Sequence, residues 1–136
     1  MSAGADEDID YARKAAVWKR SSYFENIERL EHVFSSDQIF YGFFERLSEE
    51  PQSFITKLLV FLGVPTADVA KLLPRGPVNV AAAGRRPPLE FCRALAHDFL
   101  EEVEKLCVRF DGPPQEWRTR YRALLNGEEP VRRKDL

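Results

Sequence analysis

Cysteine and histidine are both scarce in this chain of 136 residues, with two of each. Cys92 and Cys107 lie fifteen positions apart in a stretch with helical periodicity. At 1.5 Å per residue that separates them by about 22 Å, too far for a disulfide. Neither belongs to a CxxC pair, and His32 and His97 complete no ligand spacing, which argues against a zinc site and a redox motif. The expected state is two buried thiols in a reducing compartment. A charge excess is also lacking. The formal net charge of −2 leaves no general nucleic-acid footprint. No apolar run approaches the roughly 20 residues that span a bilayer. The opening MSAGADEDID is acidic and polar, unlike a secretory signal. These absences lead to the expectation of a soluble, cytoplasmic protein without metal, nucleic-acid or membrane partners.

What the chain does have is aromatic bulk, ten Phe among 44% apolar residues, enough for a packed core. Residues 1–7 read as a flexible tail, 8–125 as one domain and 126–136 as a polar tail. From Asp8 to Phe34 the pattern is helical. Ile9, Ala12 and Ala16 share one face, and Tyr23, Ile27, Leu30 and Phe34 follow at spacings of four, three and four. Ser21-Ser22 marks a kink or a second start, because serine favours helix ends over interiors. "QIFYGFF", residues 38–44, is short, aromatic and unalternating, the texture of a strand buried on both faces. No convincing partner strand follows; "PVNVA" near 77–81 is the weak candidate. The run is therefore expected to be drawn into helix or to pair outside this chain, across a homodimer or with a missing part.

Ser48 is an expected N-cap for a helix with Glu49, Glu50 and Pro51 in its first turn. Gly63 and Pro65 end that helix, and Thr66 caps a short one. Residues 74–88 form a loop rich in Pro, Gly and arginine. The clearest helix follows, with Cys92, Leu95, Ala96, Phe99, Val103, Leu106 and Phe110 on one stripe. "DGPP" ends it. A final amphipathic helix carries Trp117, Tyr121, Leu124 and Leu125. The fold class so read is mostly α with one strand-like segment.

This series resembles the C-terminal part of the PAPS-dependent sulfotransferase family. The carriers are Ser22 and Tyr23, Phe44-Glu45-Arg46-Leu47 after the aromatic run, and "EEPQSFITKLLVFLGV". Val78-Asn79, Arg85-Arg86 and Trp117 extend the likeness loosely to residue 118. The resemblance implies the C-terminal portion of an α/β, P-loop-like fold that transfers a sulfonate from PAPS to a hydroxyl or amine. It implies a structural role for Glu45, and for Arg85 and Arg86 a contact to the 3′-phosphate of the donor. Arginine forks suit phosphate geometry, and Arg75 lies in the same loop; a solvated loop is the alternative reading. The family's phosphate cradle has no counterpart, since no G-x-x-x-x-G-K-[ST] occurs. The chain alone is thus expected to be inactive, with no catalytic residue to name. A non-enzymatic helical interaction or dimerisation module is the alternative.

Overall fold

Prolines and glycines punctuate this chain, and they set several of its helix ends. A computed structural model describes residues 7, 9–11, 16–67, 69–73 and 87–128. The helices among them are α1 (Ala16–Ser21), α2 (Tyr23–Val33), α3 (Phe44–Glu49), α4 (Pro51–Phe61), α5 (Val69–Leu72), α6 (Leu89–Arg109) and α7 (Pro113–Leu125). A single 3-10 turn covers Ser36–Gln38. Contacts group residues 1–33 with 85–136 as one compact unit and 34–84 as another.

In the first unit, α6 is the spine. Its stripe at helical spacing puts Ala96, Phe99, Val103 and Leu106 in the core, with Ala96 wholly inaccessible. Burying side chains of the Val, Leu or Phe class contributes about 1.5–3 kcal/mol each. Phe99 packs on Trp18 of α1 with ring centroids 5.2 Å apart. α7 folds back on α6 through a turn in which Gly112 is the N-cap and Pro113 and Pro114, both buried, open the helix. Proline suits that place, because the first amides of a helix have no intrahelical acceptor.

The two helices of this hairpin satisfy each other's ends. Gln115 of α7 donates through Nε2 to the carbonyls of Cys107 at 3.2 Å and Phe110 at 2.9 Å, at the C-terminus of α6. Arg93 of α6 donates to the carbonyls of Leu124 at 3.3 Å and Gly127 at 3.4 Å, at the C-terminus of α7. Terminal carbonyls lack intrahelical donors, and a cation there also complements the helix dipole. Ion pairs add Arg122 to Glu104 at 2.6 Å between α7 and α6, and Arg109 to Glu31 between α6 and α2.

The serine pair does break the first helix. Ser22 lies between α1 and α2, and its hydroxyl donates back to the Trp18 carbonyl at 3.3 Å. The Asn26 amide donates to the Lys19 carbonyl at 3.3 Å, covering a last-turn acceptor of α1. The new N-terminus, at α2, is covered from a distance: Glu102 of α6 accepts from the amides of Phe24 at 3.0 Å and Glu25 at 3.5 Å. The stripe expected to bury α2 behaves differently, for no residue of α2 is fully buried and Tyr23 is 53% exposed.

In the second unit, Pro51 opens α4 as expected, but Ser48 is not its cap. Ser48 lies inside α3, and Glu50 serves both the end of α3 and the start of α4. α4 ends in a Schellman turn. Gly63, at φ +68°, donates to Val60 at 3.0 Å, and Val64 donates to Leu59 at 2.9 Å. A side chain would strain that left-handed backbone. The same pair of bonds recurs where Gly127 and Glu128 close α7.

The expected strand is absent among the described residues. Ile39 and Phe43 have extended backbones, yet 39–43 form no regular element, and Phe44 already begins α3. Side-chain packing accounts for Phe40 instead. Phe40 meets Phe54 edge-on at 5.8 Å and Phe61 at 5.5 Å. Gly42 leaves room for this, since a Cβ there would lie 2.5 Å from the Phe54 ring. The coarse reading, a mostly helical protein, holds. No described helix is long and apolar enough to cross a membrane.

Candidate functional site

Within the first unit, the start of α2, the middle of α6 and α7 enclose a groove of about 390 Å³. Pockets of roughly 300–1,000 Å³ are the usual size for small-molecule sites. Its floor is apolar, from Leu95, Phe99, Val103 and Leu106 on successive turns of α6. One wall pairs Tyr23 with Trp117, whose ring centroids are 6.3 Å apart and tilted by 39°. Ser21, Glu102, Arg120 and Tyr121 supply the polar lining. The helical spacing of Trp117, Arg120 and Tyr121 puts all three on one side of α7.

The polar groups differ in how well they are satisfied. Burial raises the Glu102 carboxyl above the ordinary carboxylate value, and the hydrogen bonds from the Glu25 and Phe24 amides oppose that rise. Its Oε1 is thus already engaged by the N-terminus of α2. Burial also raises the Tyr121 phenol, with nearby Tyr23 adding to the effect and Arg120 opposing it. Tyr121 therefore stays a neutral hydroxyl at physiological pH, able to donate. Among the described residues, no hydrogen bond engages that hydroxyl and no ion pair or hydrogen bond holds the Arg120 guanidinium.

A second depression in this unit is rich in acids, including Glu25, Glu28, Asp98 and Glu101. Lys105 crosses it, bonded to Glu101 at 2.9 Å, with its ammonium 5.9 Å from the Phe24 ring centre. No group of three or more ligands suited to a metal ion occurs among the described residues. In the second unit, a separate cleft of about 370 Å³ lies between the 40–43 segment and α4. It carries Arg46 and Lys57, but Arg46 is paired with Glu49 at 3.4 Å.

The residues singled out in the sequence fare unequally. Arg85 and Arg86, together with Arg75, Val78 and Asn79, lie outside the described residues. Glu45 occupies the first turn of α3, where an acid favours the positive helix end. Arg46 pairs with Glu49 at 3.4 Å. His97 is exposed beside Asp98, with Nδ1 3.3 Å from Oδ1. Cys92 and Cys107 are free thiols, each half-buried rather than fully buried. Tyr23 and Trp117 do come together, though 94 positions apart in the chain (117 − 23). Arg120 and Tyr121 had no signal in the sequence beyond helical spacing, because their significance depends on what α2 and α6 bring opposite them. No protein-family model, curated protein or solved structure matches the chain.

Proposed function

We propose that this chain is a sulfotransferase-like C-terminal segment. It would form the supporting part of an enzyme that transfers a sulfonate from PAPS to a hydroxyl or amine, and it is inactive by itself. The observation that carries the reading is the order of elements at the residues of the resemblance. Ser22 stands just before α2 and Tyr23 begins it, extended backbone follows at Ile39 and Phe43, and α3 takes Phe44-Glu45-Arg46-Leu47. α4 then begins at Pro51 and closes on the Phe-Leu-Gly-Val turn. Sulfonate transfer needs a cradle that positions the donor and stabilises developing charge, and the usual glycine-rich motif does not occur in this sequence. The reading goes with a cytoplasmic location, where thiols stay reduced. Its remaining contact with the donor is Arg85 and Arg86 on the 3′-phosphate.

Titration with adenosine 3′,5′-bisphosphate, followed through backbone amide shifts, tests this. The expected result is weak binding, with a Kd near 1 mM or about 4 kcal/mol. Shifts should concentrate at residues 84–89, fall with added salt, and diminish in the Arg85→Ala, Arg86→Ala double variant. Equal shifts with unphosphorylated adenosine, or none at this loop, would overturn the assignment. That outcome would leave the second reading, a helical interaction or homodimerisation module. What favours it is α4, an apolar helix with no fully buried residue, where Val60 and the C-capping Leu62 are exposed by 66% and 58%.

A further inference from the structure

We propose that the groove between α2, α6 and α7 is a binding site for a small organic anion with a planar aromatic ring. Ring recognition comes from the tilted Tyr23–Trp117 pair above the floor of Phe99, Val103 and Leu106. Aromatic faces favour offset or edge-on partners at about 4.5–7 Å between centroids, and both rings line the groove. Anion recognition comes from two donors with no partner among the described residues, the Arg120 guanidinium and the Tyr121 hydroxyl. Half-buried donors of this kind normally find an acceptor. A guanidinium takes a carboxylate or sulfonate through two parallel N–H bonds, and a neighbouring phenol adds a third.

The acid in the groove does not pair with that cation. Glu102 turns one oxygen, Oε1, to the amides of Phe24 and Glu25 and forms no ion pair with Arg120 among the described residues. It sets the selectivity against a dianion, since a second negative charge would meet its carboxylate. The ligand class is therefore an aryl monoanion of one or two fused rings, which a volume of about 390 Å³ accommodates. This site stands apart from the arginine loop and does not depend on the sulfonate-transfer reading.

The probe is 2-naphthoate, with neutral 2-naphthylmethanol as its control, each titrated into the full chain at neutral pH. Indole and tyrosine ring signals of Trp117, Tyr23 and Tyr121 report the contact by NMR. The expected result is saturable binding with 2-naphthoate favoured over the alcohol by about fivefold, the worth of one partly exposed charge pair. Arg120→Gln should abolish that preference while the alcohol still binds. Tyr121→Phe should weaken 2-naphthoate by about threefold. In the unaltered chain the preference should also shrink as salt is raised, which tests the charge pair without any substitution. Equal affinity for acid and alcohol, a preference that survives Arg120→Gln or high salt, or no saturable shift at Trp117 would each overturn the proposal.

Discussion

Glu102 carries two roles that oppose each other. It caps α2 from another helix, which stabilises, and it does so as a desolvated anion, which costs. Removing the cap with Glu102→Ala should lower stability by about 1 kcal/mol, read from denaturant midpoints. Glu102→Gln keeps one acceptor and removes the charge, so it should lose less at neutral pH. The pH dependence has a definite sign. Folding raises this carboxyl above its ordinary 4.5, so the folded chain holds the proton more tightly than the unfolded one. The group's contribution is fullest below the unfolded value and declines as pH rises through the folded value. Thermal melts should then show the unaltered chain gaining on the Gln variant as pH falls from neutral into the carboxylate range. None of this was legible at the residue level of the sequence, where Glu102 is one acid within "EEVEKL". Its partners lie 77 and 78 positions away.

At the scale of elements, legibility followed contrast. α6 was plain in the sequence because its apolar stripe runs for five turns and is flanked by charge. The helix from Pro51 to the Gly63 turn was equally plain, since both signals are backbone chemistry that neighbours cannot reverse. The aromatic run at 38–44 misled because seven residues are too few to separate periods of 2 and 3.6. One of its rings, Phe40, packs on α4, and Gly42 makes the space for that packing. The exchanged caps of the α6–α7 hairpin were beyond reach, because each depends on the helices already lying antiparallel. They lead to a test. Gln115→Ala and Arg93→Ala should each cost about 1 kcal/mol, as lost hydrogen bonds to helix ends generally do. The two caps sit at opposite ends of the hairpin and share no partner. The double variant should therefore be additive to within about 0.5 kcal/mol in chemical denaturation.

Over the whole molecule, burial is unevenly shared. The fully buried residues described in the first unit cluster on α6 and α7, whereas α3 and α4 of the second have none. Amide exchange should follow that division. Protection should be strongest at Phe99–Leu106 and markedly weaker at Phe54–Phe61, as hydrogen–deuterium exchange can measure; equal protection would contradict the expectation. The groove was not legible for a related reason: it draws on residues from 21 to 121, and only the assembled unit puts them on one surface. The same long reach has a consequence in time. A chain is made from its N-terminus, and α2 emerges well before the carboxylate that closes its first turn. At about 5–20 residues per second, the 78 residues between Phe24 and Glu102 take roughly 4–16 s to synthesise. For that interval α2 has a frayed, uncapped start and its floor of α6 side chains does not yet exist. The aromatic wall of the groove is built first and its base last, so the site closes only when synthesis has passed α7.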